Sequence, residues 1–287
     1  MKKTFRKVGC AALAVCSLAV GAMTFTSCTT SRPEVEMQLS FNGETYTLQY
    51  TLYRKMAPNT VNHFLALAQN GYYDGLCVHN YTDSKWYTGG YSYDAATEVD
   101  GGLTYRAYFD TVAAYQNFPV GIWKDEEKTA PTYTLYGEFS ANDTTMQNGD
   151  FLAQSFGALT MYYTAKEAEN NFVYVQRVQG DGLAYKDYKY NSATSLFSIS
   201  MTDASADSNY CTFATLNSGS VETLETLQSA VSEYISTTYG EEGGSFTNEI
   251  TMEVSEDDFY VSNDGLTETY AVPEQPIVIQ SVKVKKY

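Results

Sequence analysis

Hydrophobic and polar positions alternate with period two at both ends of the folded part of the chain. Met37, Leu39 and Phe41 alternate with polar residues, Asn42-Gly43 follows, and Tyr46, Leu48, Tyr50 and Leu52 resume the alternation. Two such runs joined by Asn-Gly predict a β-hairpin, because both turn residues tolerate positive φ. The period then changes. Val61, Phe64, Leu65 and Ala68 recur at i, i+3, i+4 and i+7, the apolar stripe of a helix. Pro58 suits its first turn, and Gly71 supplies a left-handed cap. A second helical stripe, Leu224, Leu227, Val231 and Tyr234, follows Ser220, a candidate N-cap. Residues 240–265 read as an acidic, Gly- and Ser-containing loop with one strand over Ile250–Val254. The chain closes on Pro276 and the alternating strand IVIQSVKV.

The N-terminus follows neither period. Lys2, Lys3, Arg6 and Lys7 precede an uninterrupted apolar run of 16 residues, Val8–Met23, shorter than the roughly 20 a spanning helix needs. Residues 1–27 therefore read as a signal peptide. Phe25-Thr26-Ser27-Cys28 looks like a bacterial lipobox, in which Cys28 is lipidated (palmitate among its acyl chains) and residues 28–35 form a polar tether. Two or more acyl chains are what stable membrane anchoring requires. Under an ordinary secretory signal Cys28 is a bystander. Both readings place the domain outside the cytoplasm, in the cell envelope.

Charge narrows the partners. Removing the four basic residues of the signal from 18 leaves 14 against 34 acidic residues, a net of −20. Such a surface repels nucleic acid and anionic lipid alike, so membrane attachment has to be hydrophobic. Beyond the signal the cysteines are Cys28, Cys77 and Cys211, too few for a disulfide scaffold. Cys77 and Cys211 lie in apolar runs, either as buried small hydrophobes or as partners of a single bridge.

The stretch Gly71–Gly90, GYYDGLCVHNYTDSKWYTGG, resembles the central signature of cyclophilin-type peptidyl-prolyl isomerases. In that family a helix ends in a Gly-Tyr-Tyr-Asp-Gly turn, a buried strand carries His then Arg, and a loop closes on Gly-Gly. Here Gly71 to Gly75, His79, Gly89 and Gly90 keep the frame. The likeness resumes in YTLYGEFSAN (133–142), Gly157-Ala158-Leu159-Thr160-Met161, NSATSLFSIS (191–200) and Asn209–Phe213, and covers most of 36–285. It implies a mostly β fold: a closed antiparallel β-barrel capped by two helices, one domain over 36–287 with insertions at about 91–131 and 164–190. It also implies proline-containing polypeptides as partners, a role in protein folding, a monomer, and no cofactor or metal.

Turning an X-Pro bond breaks amide resonance, a barrier of about 18–20 kcal/mol, and takes tens to hundreds of seconds unaided. Family members are thought to help through an Arg that donates to the prolyl nitrogen, an apolar pocket for the ring, and polar neighbours for the flanking backbone. Carried over position by position, the Arg is Asn80, a Gln is Thr88 and a later His is Tyr210, which form the candidate catalytic set. The candidate substrate-binding residues are Lys85 (the pocket Phe), the adjacent Trp86, Tyr162 and Tyr163 on the backbone-binding strand, and Leu196 and Ser198 on the Gln-Phe-Phe strand. Whether a proline-sized pocket exists among Trp86, Leu196 and Tyr210 separates an isomerase from a silent module.

Asn80 is neutral and short where a planar charged fork is wanted, and losing a charge-assisted donor costs about 10²–10³ in rate. The rotamase activity is therefore expected to be weak. The alternative is a catalytically silent peptide- or surface-binding module, whose rings at Tyr81, Trp86, Tyr87, Tyr162, Tyr163 and Tyr210 have polar tips suited to contacts. His63 is expected at the helix surface or as a capping residue. Asp94, Glu98 and Asp100 lack the ligand spacing of a calcium loop and read as a solvated turn.

Overall fold

The computed structural model describes residues 30–97, 99–142, 151–162, 172–177, 182–187, 194–240, 245–253 and 267–287. The signal segment, Cys28, Glu98, Tyr163 and much of the second insertion lie outside these. The expected hairpin is formed by β1 (Glu34–Phe41) and β2 (Glu44–Leu52), with Phe41 opposite Glu44. Asn42 and Gly43 take φ of 48° and 87°, the two positive values a tight right-twisted turn requires. Helix α1 (Pro58–Gln69) buries Val61, Phe64, Leu65 and Ala68, and Gly71 follows it at φ +69°.

Short strands β3 (Asn80–Tyr81) and β4 (Lys85–Thr88) come next. The first insertion is built rather than looped: it holds β5 (Tyr91–Tyr93), β6 (Leu103–Tyr105), α2 (Tyr108–Ala113) and β7 (Ile122–Trp123). Then follow β8 (Ala153–Gln154), β9 (Leu159–Met161), β10 (Phe172–Gln176), β11 (Leu183–Asp187), β12 (Phe197–Ser200), β13 (Ala204–Ala206) and β14 (Thr212–Leu216). Helix α3 (Val221–Tyr239), the hairpin β15 (Thr247–Glu253) with β16 (Thr267–Pro273), and β17 (Val278–Lys286) complete the order. The expected strand at Ile250 is thus the end of β15, and Val254 lies outside the described residues.

Eight strands form one antiparallel sheet in the order β17-β1-β2-β14-β9-β12-β4-β3. This corrects the expected closed barrel: the sheet is a curled half-barrel with β17 and β3 at its edges. The reason lies in residues 75–81. Gly75, Leu76 and Val78 exchange backbone hydrogen bonds with Ile277 and Ile279, drawing the two edges together. At His79 the chain changes partner, its N–H donating to the Tyr87 carbonyl at 3.0 Å, so pairing with β17 stops before β3 begins.

Helices α1 and α3 both bury apolar side chains in the core of this sheet, Leu224, Leu227 and Val231 from α3 among them. Ser220 does not cap α3 through its side chain; its hydroxyl accepts from the Gln49 N–H at 2.9 Å and ties the helix start to β2. Cys77 and Cys211 are buried and free, so the bridged alternative is set aside. His63 is corrected most sharply. It is only 5% exposed, with Nε2 2.8 Å from the Thr194 carbonyl and 3.1 Å from the Tyr108 hydroxyl. The first insertion folds back, and α2 covers what would otherwise be the helix surface.

Helix α1 starts at Ala57 with no cap of its own. Its open N–H groups are met from far along the chain by Glu138, itself 6% exposed. The carboxylate accepts from Asn59 N (3.1 Å), Thr60 N (2.9 Å) and Thr60 Oγ1 (2.7 Å), placing an anion at the positive end of the helix dipole. Glu138→Ala should therefore destabilise the protein by about 1–3 kcal/mol, read as a lower urea midpoint with an unchanged slope, and Glu138→Gln should lose less. An unchanged midpoint in the alanine variant would contradict this capping.

Candidate functional site

Strand β4 decides which side chains reach the site. Its burial alternates, with Lys85 and Tyr87 half-buried and Trp86 and Thr88 buried, because successive residues of a strand face opposite ways. Trp86 is 1% exposed and stacks on Tyr81 (5.6 Å, 28°) in the core. The Thr88 hydroxyl donates to the Cys77 carbonyl at 2.7 Å. Neither side chain lines either of the two cavities formed here. Gly89 turns the chain out of β4 at φ +98°, where a Cβ would stand 2.3 Å from the Ser195 carbonyl oxygen.

The outward face of β4 meets β9, β12 and β16. Tyr87 and Tyr162 stand edge to face, 5.9 Å apart at 84°. The Tyr162 hydroxyl donates to Glu268 of β16, 2.7 Å from Oε1 and 2.9 Å from Oε2. Burial first, then the Glu268 carboxylate, holds this phenol far above its ordinary pKa. The Lys85 ammonium lies over the Tyr210 ring at 5.0 Å. Burial lowers its pKa, and the charge of Asp207 opposes that shift.

Strand β16 crosses the end of β3. The Ala271 N–H donates to the Asn80 Oδ1 at 3.1 Å. Tyr270 and Val272 bury themselves with Cys77, Tyr91 and Leu103 in a second small core, and the Tyr270 ring meets His79 edge-on (5.1 Å, 79°). The residue at the expected Arg position therefore has its acceptor occupied by the protein's own backbone.

Two cavities result. One, of about 200 Å³, is bounded by His79, Asn80, Leu196 and Phe197 from the sheet and by Tyr270 from β16. The other, of about 220 Å³, is bounded by Lys85, Met161, Ser198 and Tyr210. Tyr87, Tyr162 and Glu268 stand in both, as the wall between them. Of the expected site residues, Asn80, Lys85, Tyr162, Leu196, Ser198 and Tyr210 are brought to this cleft, while Trp86 and Thr88 are not. Trp86, Leu196 and Tyr210 do not enclose one pocket: Leu196 faces one cavity, Tyr210 the other and Trp86 neither.

Glu268 and Tyr270 were missed in the sequence. Alternation of Glu268, Tyr270 and Val272 signals a strand, but nothing local says that it docks on β3, almost 190 residues earlier.

Residues 35–253 match the family model described as "Cyclophilin type peptidyl-prolyl cis-trans isomerase/CLD". Among solved structures, a cyclophilin type peptidyl-prolyl cis-trans isomerase of Cryptosporidium parvum is 17% identical, covering 89% of this chain and 99% of that one at a TM-score of 0.40. The same protein in the presence of the dipeptide ala-pro gives 17% identity, 88% and 99% coverage and 0.39. The Mimivirus cyclophilin gives 16%, 71% and 81%, and 0.35. No curated protein matches.

Burial lowers the pKa of His79 to about 3 and that of His63 to about 4, so both are neutral in the fold at pH 7. The unfolded chain takes up protons near pH 6.5 while the native one does not, so stability should fall as pH drops from about 6.5 toward those values. The slope should approach about 1.4 kcal/mol per pH unit for each imidazole. Urea unfolding between pH 7 and 5 measures this, and His79→Phe should remove about half of the slope. A flat profile would show that the imidazoles are not kept neutral by burial.

Proposed function

This chain belongs to the cyclophilin-type peptidyl-prolyl isomerase family, and on that premise we propose that it is an exported, lipid-anchored prolyl isomerase domain with attenuated turnover. It engages proline-containing polypeptides at the cell envelope and assists the folding of extracytoplasmic proteins. The observation that carries the attenuation is Asn80, a neutral amide at the Arg position whose oxygen is held by the Ala271 N–H at 3.1 Å. Lys85, in the neighbouring cavity, is engaged over Tyr210 and does not replace the missing donor. The tyrosine-walled cleft supports polypeptide binding, since such rings offer contact area with a polar tip. In this reading α1 and α3 cap the half-barrel. No helix among the described residues is long and apolar enough to cross a membrane, and the anchor is the lipid on Cys28.

A second reading, a silent peptide-binding module, is favoured by the same hairpin: β16 lies across Asn80 where a prolyl nitrogen would have to approach. A protease-coupled assay on a proline peptide, with binding measured in parallel, separates the two. Attenuated isomerisation should run about 10²–10³ below an Arg-bearing relative, and Asn80→Arg should raise it. Binding without turnover supports the silent module, and neither binding nor turnover rejects both.

The anchor has its own test. The wild-type chain, expressed in a bacterium that processes lipoproteins, should sediment with membranes, and Cys28→Ala should release it to the soluble fraction. A wild-type protein found soluble would reject lipidation.

A further inference from the structure

The cavity between β3 and β16 holds the Glu268 carboxylate, and among the described residues no Lys or Arg lines it. Glu268 accepts the one proton of the Tyr162 hydroxyl, which lies within reach of both its oxygens, and no Lys or Arg among the described residues forms an ion pair with it. Lys85 lies in the other cavity, which Glu268 also borders, and its ammonium sits over the Tyr210 ring. With Asn80 in place of an Arg, no Lys or Arg among the described residues lines this cavity.

Aromatic rings supply the rest of the enclosure. Tyr87 and Tyr162 form one right-angled corner (84°), and His79 and Tyr270 another (79°). A cation over such ring faces is attracted by their quadrupoles, more strongly when desolvated. The floor, Leu196 and Phe197, is apolar and suits the methylene stem that carries an ammonium head. At about 200 Å³ the space is well above the roughly 30 Å³ share of one liquid water. The mature chain's net charge of −20 favours the approach of a cation over that of an anion.

We propose that this cavity is a cage for an alkylammonium group, the side chain of a lysine in the bound polypeptide, with Glu268 as its counter-ion and Tyr87, Tyr162 and Tyr270 as its aromatic walls. The proposal deepens the reading above, since it rests on the cleft facing polypeptide. It makes the preferred ligand a proline peptide carrying a lysine nearby.

Calorimetric titration of the full-length protein with two capped peptides, identical except for lysine against norleucine beside the proline, tests this. The lysine peptide should bind at least about tenfold more tightly. The preference should vanish in Glu268→Gln, an isosteric change that keeps a partner for Tyr162, and fall in Tyr87→Leu, with thermal melting confirming that both variants fold. A third titration with tetramethylammonium chloride, which contains no proline, should saturate the wild type and not Glu268→Gln. Equal affinity for the two peptides, or an undiminished lysine preference in Glu268→Gln, overturns the cage while leaving the proline reading intact. Saturable tetramethylammonium binding lost in Glu268→Gln supports the cage even if no proline peptide is turned over.

Discussion

The change of backbone partner at His79 is the constraint on which the rest depends. Residues 75–78 are bonded to the start of β17, and from His79 onward the chain is bonded to β4. One stretch of six or seven residues therefore links the last strand of the protein to the strand pair that faces the cleft. It keeps the eight-stranded sheet curled, buries His79 beside Tyr91 and Tyr270, and leaves the end of β3 open to β16. Were pairing continuous across His79, the sheet would close and β16 would have no edge to cross.

That docking alters what the cleft offers. A side chain at the Arg position would ordinarily present itself to a ligand, but Asn80 is turned into a clamp for the 267–273 strand. Polar capacity moves instead to Tyr162, Glu268 and Lys85, which come from three different strands or loops. The same positions that give the family its outline thus carry a different distribution of charge. The negative Glu268 stands within the Tyr87–Tyr162 wall and borders both cavities, while the positive Lys85 lines only one of them.

Much of the architecture is legible in the sequence because it is local. The Asn42-Gly43 hairpin and the stripes of α1 and α3 follow from periods of two and 3.6, and the structure keeps them. The glycine frame around His79 also survives, since positive φ and close approach leave few alternatives. The site is less legible because it is assembled over long distances. A residue-by-residue carry-over placed Trp86 and Thr88 in the cleft, yet strand alternation turns both inward. His63 reads as a surface residue because the family this chain resembles commonly has Asn there, and the helix α2 that covers it sits some 45 residues later. Glu138 announces nothing locally, although it completes a helix begun about 80 residues before it.

The two segments expected to be insertions are joined. Strand β7 of the first pairs with β10 of the second, Ile122 opposite Val175 and Trp123 opposite Tyr174, and Val173 is fully buried beside them. Neither segment is then an independent embellishment. A lineage that lost one alone would leave the other with a bare strand edge, an invitation to pair with another chain. The two segments therefore stand as one structural unit, each covering an edge of the other.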